Sequence, residues 1–235
     1  MSDDAPARPW GGLLASLRTS IGDIAFGMED GAVSIAGLVF GVAASTNDAQ
    51  VVLLAGATGA AAGAVSMMAG TYLDVQSVRD RAAALRARAR SAIEADPEGH
   101  RRRAEERLVV YGFTPEETEA VGAALARNPV AMLEFVSAFE LEIGGAPRES
   151  PAVHAAWMFV ADLSAAATPV IPFALLPLET ARVVSLVITT VLLVCLGLGR
   201  ARVARMGYLA TTLQTLAIAA AAAAAGVLIG RLVIG

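Results

Sequence analysis

The sequence predicts an all-α membrane protein: five transmembrane helices per protomer, with a cytoplasmic helical insert between helices two and three. Three observations carry this. Only 17% of the 235 residues are charged and 56% are hydrophobic, against roughly 25% charged in an average soluble domain. Residues 31–47, 49–73, 163–178, 183–199 and 206–230 hold no Asp, Glu or Arg, and a helix needs about 20 apolar residues to cross hydrocarbon. The Arg residues also alternate between successive connections, as cytoplasmic and outer loops do. A soluble bundle would have to bury five all-round apolar helices with too little chain left to cover them. Barrel strands are far shorter than these runs.

Residues 1–20 read as a polar, Pro-containing cytoplasmic tail without a cleavable signal pattern. The expected crossings are 21–45, 50–73, 153–174, 177–199 and 208–232, so the membrane part comprises 21–73 and 151–235. Arg8 and Arg18 precede the first crossing, and no Arg separates it from the second. Eleven Arg fall in 74–150, none between crossings three and four, and Arg200, Arg202 and Arg205 lie between four and five. This places the N-terminus in the cytoplasm and the C-terminus outside, with Arg231 a weak exception. Every one of the 18 basic residues is Arg, and this Lys-free, Ala-rich composition suggests a high-GC bacterial source and hence a plasma membrane. The single Cys195 excludes an internal disulfide and a Cys-rich zinc site. A net charge of -4 argues against a nucleic-acid partner. No nucleotide loop, nucleophile elbow or acid–base pair outside the membrane points to an enzyme.

The insert, 74–150, holds 14 acidic and 11 basic side chains. Its first part continues the second helix, since Val75, Val78, Ala82, Leu85, Ala89 and Ile93 recur at helical spacing. Asp96-Pro97 breaks or restarts the helix, and Gly112 suits a C-terminal cap. Thr114-Pro115-Glu116-Glu117 encodes an N-cap, a first-turn Pro and a capping box. Asn128-Pro129 opens a further helix through Phe139, and Gly144-Gly145-Ala146-Pro147 ends the unit. Glu94, Glu98, His100, Glu105 and Glu106 lie along one short tract. They form either a solvated face with ordinary Arg pairs or a set of oxygen ligands, joined by His100, that captures a hard cation.

Within the membrane, carboxylates are expensive and are normally buried against a partner, a cavity or an ion. Glu29 and Asp30 lie in the first crossing, and Gly22, Gly27, Gly31, Gly37 and Gly41 thin that helix for a close neighbour. The second crossing adds Gly56, Gly59, Gly63 and Gly70, then Ser66, Met67 and Met68. Carboxylate and thioether together suit an intermediate transition metal better than Mg²⁺ or Ca²⁺. The third crossing supplies Asp162, Pro169 and Pro172. Met67 could equally fill space, Asp162 could bond a neighbouring helix, and His154 reads as interfacial.

Gly27-Met28-Glu29-Asp30-Gly31, leading into Leu38-Val39-Phe40-Gly41-Val42, resembles the signature segment of the vacuolar iron transporter family. Ala62-Gly63-Ala64-Val65-Ser66-Met67 and Gly70-Thr71-Tyr72-Leu73 continue the resemblance. So do Tyr111-Gly112-Phe113, Asn128-Pro129, Phe139-Glu140-Leu141, Pro169-x-x-Pro172 and Leu213-Gln214-Thr215, in order along residues 20–233. The resemblance implies a homodimer of five-helix protomers that exports Fe²⁺, and often Mn²⁺, from the cytoplasm with proton exchange. These ions are cargo, and no permanently bound cofactor is implied. Asp30 matches the family's membrane aspartate, Met67 its pore methionine and Glu140 a metal-binding glutamate of the insert.

Departures accompany the match. Gly59 stands where the family commonly has a glutamate, and the insert's first helices carry Ala and Arg where relatives are Glu-rich. Val136 replaces an insert methionine, with Met132 a turn away. The expected metal ligands are therefore Asp30, Met67, Glu29 and Asp162 in the membrane, the extra acids Glu29 and Asp162 compensating for Gly59. In the insert they are Glu94, Glu98, His100, Glu106 and Glu140. The alternatives are an exporter of another divalent cation, or a sensor or scaffold that retains the fold without flux.

Overall fold

The computed structural model describes residues 21–139 and 150–234. The described residues form eight helices: α1 (Ile21–Ser45), α2 (Ala49–Ala95), α3 (Pro97–Val110), α4 (Pro115–Ala126), α5 (Pro129–Phe139), α6 (Pro151–Leu175), α7 (Leu178–Ala204) and α8 (Tyr208–Ile234). Five of them, α1, α2, α6, α7 and α8, are long and apolar enough to cross a membrane. The chain divides into a membrane unit, Met1–Tyr72 with Glu149–Gly235, and an insert unit, Leu73–Arg148. The tail 1–20, Glu140 and the Gly144–Pro147 stop lie outside the described residues.

In the membrane unit α1 packs against α6, α7 and α8. Small side chains make this possible. Ala32, Ala165, Leu193 and Ala219 form one buried cluster, and Ile35, Val39, Val52, Ala60, Ala166 and Phe173 belong to another. The α1–α8 contact is the tightest, with Gly37 and Gly41 of α1 meeting Gly226 and Gly230 of α8. A Cβ placed on Gly226 would lie 2.0 Å from the Gly37 carbonyl oxygen, and one on Gly230 2.5 Å from that of Gly41. Two small-xxx-small faces thus meet backbone to backbone. Beside this seam lies an apolar cavity of about 460 Å³ walled by Leu38, Val42, Val51, Ile229 and Val233.

Polar bonds pin the helices further. Ser185 of α7 donates to the Pro169 carbonyl at 2.7 Å, an interhelical bond at the two-proline segment of α6. Helix α1 has no basic residue in its own last turn. Arg182 of α7 supplies one, donating to the carbonyl oxygens of Ala43 and, at 2.9 Å, Thr46 while pairing with Glu179. A cation at the C-terminus of a helix satisfies carbonyls that have no intrahelical donor and opposes the helix dipole.

The α7 helix extends past its expected end at residue 199 to Ala204, stopping at Arg205 in the left-handed region, φ 53°. Arg and Ala are strong helix formers, so the charged stretch that looks like a loop by hydropathy is a further helical turn. Arg200 is therefore held by a helix.

The insert unit is stapled by its caps. The Asp96 side chain accepts from the Gly99 N–H at 2.9 Å. Asn128 Oδ1 accepts from the Val130 and Ala131 N–H groups at 3.2 and 3.1 Å. Gly112 takes φ 91° after α3. The Thr114 capping box closes in both directions, Glu117 N–H to Thr114 Oγ1 at 3.3 Å and Thr114 N–H to Glu117 Oε2 at 2.9 Å. Behind these caps Ala89, Ile93, Ala104, Met132, Leu133 and Val136 form the core. Thr114→Ala should cost about 1 kcal/mol of α4 stability. Amide exchange in the full chain would then show protection of Pro115–Ala126 falling about fivefold; unchanged protection would refute the cap's contribution.

Candidate metal site in the membrane unit

Adjacent residues on an α-helix point about 100° apart, and this separates the two acids of α1. Glu29 is buried, 8% exposed, and turns toward α7 and α8. Its Oε1 accepts from Arg200 Nη1 at 3.1 Å and from Thr215 Oγ1 at 2.8 Å, and its Oε2 accepts from the same Arg200 nitrogen at 3.0 Å. Arg200 Nη2 also lies 3.4 Å from Gln214 Oε1. Asp30 is exposed on the surface of the protomer.

Asp162 of α6 is 3% exposed and fits where two glycines leave room. A Cβ on Gly31 of α1 would lie 2.8 Å from Asp162 Oδ1 and 2.5 Å from its carbonyl oxygen. A Cβ on Gly63 of α2 would lie 3.9 Å from Asp162 Oδ2. The Asp162 carboxylate thus sits between α1 and α2, against Gly31, the residue that follows Asp30. Among the described residues neither acid has a cationic partner.

On α2 the positions 59, 63 and 67 follow one another at four-residue spacing and share a face. Gly59 faces Leu38 and Ile35 of α1, with Leu38 Cδ2 2.5 Å from where its Cβ would be. Gly63 faces Asp162, and Met67 follows one turn later, half-buried. The structure therefore sets Asp162 against Gly31, next to Asp30, places Met67 one turn along the α2 face that Asp162 touches, and engages Glu29 elsewhere.

The insert candidates are dispersed. Glu94 and Glu106 are exposed. Glu98 pairs with Arg101 Nε at 2.9 Å, and Glu105 engages the other side of the same guanidinium at 2.5 Å. The Glu98 hydrogen bond, with the charge of Glu105, raises the Arg101 pKa above its ordinary value. His100 is 7% exposed, its Nδ1 2.9 Å from the Asp96 carbonyl oxygen and its ring against Arg103 Nη2, also at 2.9 Å. Met132 and Val136 lie in the insert core. Among the described residues no group of three or more His, Cys, Asp or Glu side chains converges as a metal cluster. Glu140 lies outside the described residues.

Sequence reasoning missed Arg200 and Thr215 as the partners of Glu29, and Gln214 as a partner of Arg200. The available signal was the general one: a buried acid in hydrocarbon needs a partner, and Arg200 is the basic residue that follows the uncharged stretch 183–199.

A family model, that of the VIT family, matches residues 21–231. The chain is 32% identical over 212 residues to Vacuolar iron transporter 1 of Arabidopsis thaliana, covering 90% of this chain and 85% of that protein. It is 31% identical over 204 residues to Vacuolar iron transporter 1 of Eucalyptus grandis, covering 86% and 82%. It is 30% identical over 204 residues to Vacuolar iron transporter 2 of Oryza sativa subsp. japonica, covering 86% and 83%. These names correct the plasma-membrane location expected from composition: each relative is named for the vacuole, and Arg and Ala enrichment reports base composition in the gene, with no bearing on which membrane receives the protein. With five apolar helices of spanning length and a match over nearly its whole length, the chain belongs to the VIT family of iron transporters.

Proposed function

We propose that this protein carries Fe²⁺, and Mn²⁺ as a second substrate, out of the cytoplasm in exchange for protons. The relatives' names indicate a vacuolar membrane as the location. One observation carries the reading: Asp162 is buried in a membrane helix against Gly31, the neighbour of Asp30, and among the described residues no cationic side chain balances either carboxylate. Like charges in such a place call for a bound cation or a shared proton. That is the choice an exchanger alternates between.

Met67 adds a soft thioether one turn from the face occupied by Asp162, which favours an intermediate transition metal over Mg²⁺ or Ca²⁺. Asp162 of α6, lying against Gly63 one turn along α2 from position 59, takes the part that a glutamate at position 59 would otherwise play. The insert acids Glu94, Glu98, Glu106 and Glu140, with His100, gather the cation before it reaches the membrane helices. Arginines among them lower the local cation concentration, so capture is weaker than by a Glu-rich insert. Asp30 is exposed on an isolated protomer, which fits a homodimer whose second copy closes the path beside it.

The test is flux in proteoliposomes loaded with a pH-sensitive dye, comparing Fe²⁺, Mn²⁺, Co²⁺ and Zn²⁺. The expected result is Fe²⁺ and Mn²⁺ movement accompanied by proton flow in the opposite direction. Preference for Co²⁺ or Zn²⁺ would make the protein an exporter of another divalent cation, and absence of all flux would leave a sensor or scaffold.

A further inference from the structure

Glu29 and Asp30 are neighbours on one helix, yet among the described residues Glu29 has a cationic partner and Asp30 has none. We propose that Arg200 withholds Glu29 from the transported cation, so that one acid of the pair meets the ion and the ion can leave. This rests on the transport reading above, since it concerns the same site.

The geometry is that of a fully engaged carboxylate. Both Glu29 oxygens accept from Arg200, and Oε1 accepts a further bond from Thr215. The guanidinium is itself braced by Gln214 Oε1, and α7 carries it on a continuous helix to Ala204. Three helices therefore meet at this pair. An Arg stays charged at every physiological pH, so the neutralisation is permanent. A bidentate-capable, half-buried, charge-assisted contact also fixes direction, holding Glu29 toward α7 and α8.

The consequence follows from ligand charge. Affinity for a divalent cation rises with the number of carboxylates around it, whereas passage requires binding weak enough for release. With Arg200 absent, Glu29 would be an unpaired acid next to Asp30, on the helix whose Gly31 packs against Asp162. Three carboxylates would then hold the ion where two now do. Arg200 is a positioning residue of unusual kind: it acts by keeping a competent ligand away.

The test compares the full-length protein with Arg200→Gln, Arg200→Lys and the double variant Glu29→Gln/Arg200→Gln. Mn²⁺ affinity is read on purified protein by electron paramagnetic resonance, and Mn²⁺ flux in proteoliposomes. Arg200→Gln should bind Mn²⁺ about tenfold more tightly, with KM and kcat falling together; Arg200→Lys should restore the wild-type values. The double variant, which removes both charges and retains a hydrogen-bonding pair, should bind as the wild type does. Unchanged or weaker binding by Arg200→Gln would overturn the proposal and leave the pair as a structural pin. If that variant does not fold, the double variant decides: a tenfold loss of affinity would show that Glu29 is itself a ligand. Should the wild type bind Mn²⁺ without moving it, the transport reading fails while the affinity order still tests Arg200. No Mn²⁺ binding by the wild type overturns both.

Discussion

Asp30→Asn is expected to stop cation flux while leaving the protein folded. The side chain is exposed on the protomer and has no cationic partner among the described residues, so no packing or ion pair within the protomer depends on its charge. Asn preserves shape and removes the negative charge that would balance a bound cation. Loss of one charged ligand interaction is worth roughly 3 kcal/mol, or about a 100-fold fall in initial rate. The measurement is Fe²⁺ uptake into proteoliposomes, with thermal melting in detergent as the folding control. Melting should be unchanged. Wild-type rates in Asp30→Asn would remove Asp30 from the path, whatever the rest of the site does.

The second large effect concerns architecture. Gly226→Val should prevent stable assembly of the membrane unit. The Cβ position at Gly226 lies 2.0 Å from the Gly37 carbonyl oxygen and 2.9 Å from the carbonyl carbon. These are backbone atoms, which cannot rotate away as the tip of a side chain can. Helices α1 and α8 would have to separate, and the reciprocal contacts at Gly41 and Gly230 would open with them. Overpacking of this kind costs about 3 kcal/mol, a large part of the stability of a marginally stable protein. Gly70 provides the control, since a Cβ there meets nothing within 4 Å and Ala is the better helix former. Gly70→Ala should therefore melt at or slightly above the wild-type temperature, whereas Gly226→Val should melt far lower or fail to purify as a single species. Equal melting of Gly226→Val and wild type would mean that the seam does not hold α1 to α8.

Both predictions involve α1, and for a shared reason. This helix lies against α6, α7 and α8, so each of its faces has a different neighbour. Toward α8 it presents Gly37 and Gly41, toward α6 Gly31, toward α7 and α8 Glu29, and at its C-terminus carbonyls for Arg182. A rotation of α1 of one residue's worth would exchange Glu29 for Asp30. The Arg200 pair and the glycine seam oppose that exchange together.

The number of spans, the place of the insert between the second and third, and the caps within it were legible without coordinates. Those features are local or additive. Hydrocarbon excludes charge along any 20-residue stretch regardless of neighbours, and Thr114, Asp96 and Asn128 satisfy amides two or three residues away. The continuation of the second crossing to Ala95 was legible for the same reason, because Val75 to Ile93 repeat at helical period. The residue motifs also sufficed to identify the family. What only the tertiary structure decided is which faces meet. Helices apolar on all sides carry little sign of their own rotation, so neither the pairing of Glu29 with Arg200, 171 residues away, nor the docking of Gly37 and Gly41 on Gly226 and Gly230 could be read from spacing. Asp162 was visible as an acid in a membrane helix, but its place between Gly31 and Gly63 depends on two glycines in other helices leaving space at one depth. Charge content settles how a chain enters a bilayer; the direction each acid then faces is settled by the close packing of helices against one another.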